Sequence, residues 1–337
     1  MQSTLPLMRH PRKNSKLAFY LRVFLSRAIP DSYFLGNRGR LLRAIPESEL
    51  DAVWQRVEYY NKLGRGFAVE QGQCMTQLSA RQQSAYYCDL RALMRYFPKQ
   101  ARFHHEFGDV IQVPSQPCLL KSRPIAGDNQ NSVLLKLNQV RHYVFVNDPY
   151  DFARKTDTAV WRGKAKPGHH RSLLVQDWFR HPRCDVGQSN RVPIGDNPEK
   201  QKHRLSIEEQ LRHKFVISAE GNDVATNLKW ILSSSSLCLM RRPRYETWFM
   251  EGRLQAGVHY VQLRDDFADL EEKMDYYSSH TDEALAIIHN AQRWVQQFRN
   301  ATRERQISLL VLQKYLQLAG ELAEPDTELS RELLREA

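Results

Sequence analysis

The sequence predicts an α/β protein with a parallel sheet in its second half. From Lys214 onward short β-type runs alternate with helical stretches. Lys214 to Ser218 reads as a strand, Gly221-Asn222-Asp223 as a turn and Val224 to Ser233 as a helix. Leu237 to Met240 follows as a strand, Glu246 to Leu254 as a helix and Val258 to Leu263 as a strand. Strands separated by helices are joined by crossovers, and crossovers make neighbouring strands parallel. Length is the second pointer. The chain has 337 residues, enough for two domains with a core each, and a boundary is expected near 150–160.

Before Lys214 the order runs as follows. Residues 1–16 form a polar and basic lead. Leu17, Leu21, Phe24 and Ala28 recur at helical spacing until Pro30 stops the pattern. Pro46 and Ser48 open a second helix over 46–62, whose stripe is Leu50, Val53, Trp54 and Val57. A third helix spans 77–97 and ends before Pro98. Val110 to Val113, Cys118 to Leu120 and Tyr143 to Val146 are short β-type runs, with a short helix from Val133 to Val140 between them. Ala159-Val160-Trp161 is a further strand, followed by a basic turn and a helix at about 170–180; the Pro- and Gly-rich stretch 182–204 reads as loop. After Leu263 come helices at 266–278, 281–299 and about 303–323, then an acid-rich tail.

Composition narrows the class. Hydrophobic residues are 42% and charged residues 26%, which excludes collagen-like and wholly disordered chains. Lys and Arg number 49 against 38 Asp and Glu, a net charge of +11 and a pI near 9.4. Such a balance attracts something anionic: nucleic acid, acidic lipid or a phosphorylated ligand. The five cysteines lack any C-x-x-C pair and are expected as buried free thiols in a reducing compartment. No apolar run reaches the length of a membrane span, so a cytoplasmic protein is expected.

Four stretches carry residue types suited to chemistry. Gly221 to Lys229 follows a strand and opens a helix, a position where backbone N–H groups can hold a diphosphate; the ordinary alternative is a tight turn capped by Asp223. Arg162, Gly163 and Lys164, with Lys166, His169, His170 and Arg171 behind them, could reach phosphate or form a solvated loop. Lys121, Ser122, Arg123 and Asp128 look like a site edge or an ordinary polar loop. His104-His105-Glu106 has poor spacing for a metal, whereas Asp109 could serve as a general base or as a surface acid. Asp-x-Asp, G-x-G-x-x-G and G-x-x-x-x-G-K-[ST] are all absent from the chain.

Taken in order, several short segments resemble a known family. They are Gly108-Asp109 with Gln112-Val113-Pro114, Lys121-Ser122-Arg123, Trp161-Arg162-Gly163, Glu220-Gly221-Asn222, Ser234-Ser235-Ser236, Glu246-Thr247-Trp248-Phe249, Val258-His259-Tyr260 and Asp266 to Leu270. The chain is similar to the sugar transferases of glycosyltransferase family 90, which include Rumi-type O-glucosyltransferases, capsule-associated xylosyltransferases and bacterial lipopolysaccharide-core enzymes. The wording Lys-Ser-Arg-Pro-Ile and Gly-Asp-Asn looks most like the bacterial branch.

The resemblance implies a GT-B fold: two Rossmann-like domains facing a cleft, with extra N-terminal and C-terminal helices. On that basis residues 1–155 would form the acceptor side and 156–300 the nucleotide-sugar side, with 301–337 returning to the first domain. It also implies an inverting, metal-independent hexose transfer from UDP-glucose or UDP-galactose to lipopolysaccharide core or a related surface glycan. No cofactor is expected beyond the UDP-sugar co-substrate. Asp109 would be the base, and Arg162, Gly163, Lys164, Gly221, Asn222, Asp223, Val224, Ala225, Thr226, Asn227 and Lys229 the donor contacts. Lys121, Ser122, Arg123, Asp128, Arg241 and Glu246 are further candidates for the cleft. One departure stands out: Asn227 occupies a position where relatives often carry a phosphate-binding arginine. Lys229, Arg162, Lys164 and Arg241 are the candidates to supply that charge. The partners implied are a nucleotide sugar, a lipid-linked or oligosaccharide acceptor and an anionic membrane surface, not nucleic acid. Peripheral attachment to the inner face of the inner membrane is expected, with Leu17–Ile29 either on that membrane or packed on its own domain. A nucleic-acid-binding protein and a catalytically silent scaffold with the same fold are the alternatives.

Overall fold

The computed structural model describes residues 14–79, 84–191 and 198–322. The tail after Leu322 and part of the expected 77–97 helix lie outside the described residues.

The first half opens with helices α1 (Lys16–Ser26), α2 (Asp31–Arg43) and α3 (Leu50–Tyr60). Pro30 ends the first periodic stretch as expected, but it also starts the next helix: with φ −61° and ψ 146° it is the N-cap of α2. The pair β1 (Gln73–Cys74) and β2 (Arg102–Phe103) flanks α4 (Ser84–Met94). Strand β3 (Cys118–Leu120) pairs in parallel with β5 (Ser132–Leu134), and β4 (Ser122–Pro124) lies between them in sequence. The short helix α5 (Gln139–His142) closes this half.

The second half holds the main sheet. Its strands are β6 (Thr156–Gly163), β7 (Cys184–Gln188), β8 (His213–Ile217), β9 (Leu237–Met240) and β11 (Val261–Gln262), with α6 (His170–Trp178), α7 (Ile207–Gln210) and α8 (Leu228–Leu232) among them. β10 (Tyr245–Thr247) leaves this sheet and pairs antiparallel with β4 of the first half. Helices α9 (Leu270–Ser279), α10 (Thr281–Gln296) and α11 (Ala301–Leu318) complete the chain.

All five main strands are parallel, in the spatial order β11-β9-β8-β6-β7. The strands are apolar on both faces, as a sheet covered on both sides requires. Val160, Val216, Cys238 and Met240 face one core, which they share with Trp230, Val295 and much of the first half. Ala159, Trp161, Phe215, Ile217, Leu237 and Leu239 face the other, against Leu174, Leu270 and Ile287. The two sets alternate along each strand, the period-2 consequence of the pleat. Helix α11 packs on α3: Lys314 Nζ reaches Glu58 Oε1 at 2.6 Å, and Asn61 Nδ2 donates to the Val311 carbonyl at 3.2 Å.

Several expectations change. Val133 to Val140 is not one helix but β5 followed by α5, because Val133 and Leu134 are fully buried beside β3. Glu246 to Leu254 is β10 and a single 3-10 turn, since Met250 takes a left-handed φ of 57° that breaks a helix. Val110 to Val113 and Tyr143 to Val146 form no strand. β7 lay hidden in the expected loop 182–204; its sequence CDVGQ is poor in strand formers, and pairing with β6 holds it. Among the described residues no second five-stranded sheet accompanies the first, and β3–β5 is the parallel pair of the first half. All five cysteines are free, four of them buried.

Candidate functional site

Numbered within the main sheet alone, the strands run 2-1-3-4-5. The chain leaves β6 for β7 on one side and then crosses to β8 on the other. Loops leaving β6 and β8 therefore part in opposite directions, and a crevice opens at their carboxyl ends, where open parallel sheets bind ligands. A cleft of about 760 Å³ lies there. Its wall includes Asp109, Arg162, Gly163, Lys164, Gly221, Asn222, Asp223, Val224, Thr226 and Asn227. Arg141, His142, Lys166, His169 and Arg171 also line it.

Local sequence explains both loops. After β6, the Trp161 ring folds back over Gly163; a Cβ there would lie 2.5 Å from the ring. After β8, Gly221 leaves room for the Arg171 guanidinium, 3.2 Å from where a Cβ would stand. Asn227 ties the turn to its strand, donating to the Ile217 carbonyl at 3.0 Å while accepting from Ser218 at 3.2 Å. Helix α8 starts only at Leu228 and has five residues. The Gly221 turn is thus a loop rather than a helix N-terminus, which corrects the expected Val224 to Ser233 helix.

Asp109 belongs to a charged trio centred on Lys121. Lys121 Nζ lies 2.5 Å from Asp109 Oδ1 and 2.6 Å from Asp223 Oδ2, and is 2% exposed. Asn222 Nδ2 donates to Asp109 Oδ2 at 3.1 Å, and its own Oδ1 accepts from Lys166 at 3.0 Å. Burial disfavours the charge on Asp109, but the Lys121 ammonium and the two hydrogen bonds outweigh it, so this carboxyl titrates below its ordinary range. Asp223 is more deeply buried; there desolvation wins over Lys121, and Asp109 adds repulsion, so its carboxyl is raised. One ammonium thus serves two carboxylates whose environments drive their titrations apart.

The cations fall out differently from the sequence reading. The Arg162 guanidinium ties β6 to β7: it donates to Asp185 Oδ1 at 2.7 Å, to the Asp185 carbonyl at 2.6 Å and to the His203 carbonyl at 3.0 Å. Lys229 is fully buried in an ion pair with Glu251 at 2.5 Å. Arg241 pairs with Asp265 at 2.8 Å outside the cleft. Of the four candidates to replace the missing arginine at Asn227, only Lys164 remains an exposed cation on the cleft wall.

Arg171 is a further cation on the cleft wall. It donates to the Ala219 carbonyl at 2.7 Å and the Lys164 carbonyl at 3.1 Å, bridging the two loops. Its Nε is buried without a partner. Burial pushes its pKa down to about 10, with Glu220 opposing. His169 Nε2 meets the Gly221 carbonyl at 3.1 Å.

The remaining candidates make the following contacts. Arg123, fully buried, holds Glu246 at 2.8 Å and the carbonyls of Tyr59 at 2.7 Å and Ser132 at 3.1 Å, locking β4 to β10 and α3. Tyr59 O–H also donates to Glu246. Ser122 donates to the Val110 carbonyl at 3.0 Å. Asp128 is exposed and shapes its own turn through Gln130. Ala225 is buried behind the turn.

Sequence reading did not single out Arg141 and His142. Both sit on α5, a four-residue helix at positions the sequence placed in a strand connection. Both cleft faces are therefore built from segments far apart in the chain. Among the described residues, no group of three or more His, Cys, Asp or Glu side chains converges on one point.

The model of the family described as Glycosyl transferase family 90 matches residues 135–326. The O-glucosyltransferase LpsA of Dichelobacter nodosus is 44% identical over 313 residues, covering 91% of this chain and 97% of that protein. Protein O-glucosyltransferase 2 of Danio rerio is 30% identical over 93 residues, 28% of this chain and 18% of that one. The chain belongs to glycosyl transferase family 90.

Proposed function

We propose that the chain moves a hexose from a UDP-sugar to a hydroxyl of lipopolysaccharide core or a related surface glycan, with inversion and without a metal. The observation that carries this reading is Asp109, ionised and held by Lys121 and Asn222 on the wall of a cleft rimmed by Lys164, Lys166, Arg141 and Arg171. In the proposed step, Asp109 takes the proton of the acceptor hydroxyl. The freed oxygen bonds to the anomeric carbon from the side opposite UDP. The anomeric C–O bond breaks, and its electron pair leaves with the diphosphate. Fixed cations and loop amides receive that charge. Arg171 takes the part first given to Arg162, Lys229 and Arg241, because those three are consumed in ion pairs of their own.

LpsA is named as an O-glucosyltransferase, which supports glucose as the hexose. We read the β3–β5 pair with its surrounding helices as the acceptor side of a reduced GT-B arrangement. The acceptor is taken as lipid-linked or as a free oligosaccharide, and the protein as peripheral on the inner face of the inner membrane. Among the described residues no helix is long and apolar enough to cross a membrane.

The test is UDP release from UDP-glucose and UDP-galactose, with and without core oligosaccharide, in the presence of a chelator. Acceptor-dependent release is expected, with the anomeric configuration of the product inverted by NMR. Asp109→Asn should keep UDP binding and lose transfer by roughly 10²- to 10⁴-fold. Full activity in that variant removes Asp109 from the base role; no binding of any UDP-sugar refutes the donor assignment.

A further inference from the structure

Helix α1 is turned the wrong way round for a helix of a water-surrounded protein. A surface helix ordinarily hides its apolar stripe against the core. Helix α1 has no buried residue. Leu17, Leu21, Phe24 and Leu25 are 79%, 54%, 66% and 61% exposed. At about 100° per residue these four project within roughly 100° of one another. The half-buried residues Phe19, Val23 and Ser26 lie on the opposite side, toward the protein. The cations Lys16 and Arg27 fall on one flank of the outward stripe and Arg22 on the other. No Asp or Glu occurs from Asn14 to Pro30.

The helix is nevertheless fixed in place. Asn14 Nδ2 donates to the Tyr143 carbonyl at 3.0 Å. Arg95 donates to the Ser26 carbonyl at 2.9 Å and to the Ile29 carbonyl, and pairs with Asp31. Ile29, Tyr33 and Leu35, next along the chain, are exposed as well. Asn14 and Lys16 themselves line the catalytic cleft, so the outward face begins at the cleft rim.

We propose that the outward face of α1 seats the protein on a bilayer of anionic lipid and brings the cleft mouth to that surface. This rests on the reading of the acceptor as lipid-linked. Apolar residues centred between flanking cations are the pattern of a helix lying in a lipid interface. Charge selects lipid over the other two occupants. A second copy docked on the same face would set Lys16, Arg22 and Arg27 against their like. The residues that precede the helix carry Arg9, Arg12 and Lys13, so their sequence offers that face no complementary charge.

The experiment is sedimentation of the full chain with vesicles of phosphatidylcholine alone or with a third phosphatidylglycerol. Binding is expected only with the anionic lipid, and release is expected as salt rises, by about fivefold for each cation engaged. The double variant L21S/F24S removes exposed groups only, so the fold should survive. It should bind vesicles at least tenfold more weakly, keep transfer to a soluble core oligosaccharide, and lose transfer to the same acceptor anchored in vesicles. Equal vesicle binding by the variant overturns the proposal, as does binding indifferent to lipid charge. A wild-type dimer that the variant abolishes assigns the face to a second copy and overturns it too. Vesicle binding that appears only after removal of residues 1–13 assigns the face to that segment, with the same consequence. Wild-type protein that binds vesicles yet transfers no sugar refutes the enzymatic reading and leaves the surface assignment standing.

Discussion

Lys121→Met is the most informative single change at the site. Methionine keeps most of the side-chain length and removes the charge that lies 2.5 Å from Asp109 and 2.6 Å from Asp223. An opposite charge at such range lowers a carboxyl by roughly 1–3 pKa units. The groups facing Asp109 are Lys121, Asn222 and Arg141; those facing Asp223 are Lys121, Ser122, Asp109 and Arg171. Without Lys121 the two carboxyls share one desolvated site, and like charges raise the pair further, so the titration becomes a property of both. The acid limb of kcat/KM against pH, read by UDP release, should therefore move up by roughly 1–3 units. Below the new limb the rate falls about tenfold per unit, and toward pH 9 it recovers. Lys121→Arg should keep the wild-type limb. Breaking the buried Lys121–Asp223 pair also weakens the fold by roughly 3–5 kcal/mol, which urea unfolding measures. Adding Asp223→Asn should return part of that stability and bring the acid limb back down. An acid limb unchanged in Lys121→Met, with the protein folded, refutes the claim that Lys121 sets the titration of Asp109.

Arg171→Met should weaken UDP binding by about 10- to 100-fold, the range of one charge-assisted hydrogen bond of roughly 1.5–3 kcal/mol; calorimetric titration reads it, and Arg162→Met should instead lower the melting temperature with little effect on UDP affinity. Lys229→Met leaves Glu251 charged and fully enclosed, so urea unfolding should show a loss of roughly 3–5 kcal/mol, much of it regained in the double variant with Glu251→Leu. Asp89 caps α5 by accepting from the Gln139 N–H at 2.8 Å, and burial pushes its carboxyl up to about 7. A group raised on folding stabilises most below its unfolded pKa and loses that contribution as pH rises through the folded value. Wild-type stability should therefore carry a falling component between about pH 4 and 7 that Asp89→Asn lacks; the same pH slope in both proteins sinks the assignment.

The sequence by itself determined the parallel sheet and the two loops at its carboxyl edge. Continuous apolar runs such as Phe215 to Ile217 have one economical solution, a strand covered on both faces, and the turn residues that follow mark where such strands end. Gly163 and the Gly221 turn were legible as strand ends for that reason, whereas Asp109 was named through the short motifs that pointed to the family. The tertiary structure decided which cations are free to meet a ligand. Arg162, Arg171 and Lys229 are alike in sequence as basic residues near a strand end. Only packing shows that Asp185 and Glu251 consume two of them while Gly221 opens space for the third. Partners of this kind lie 22 to 50 residues away along the chain, beyond any local pattern. The same holds for β7 and β10, whose weak strand character is overridden by neighbours, and for α1, whose apolar stripe is periodic in the sequence but whose outward direction is set by the contacts of Asn14 and Arg95. Periodicity fixes which residues share a face; the free energy of packing against distant chain fixes where that face looks.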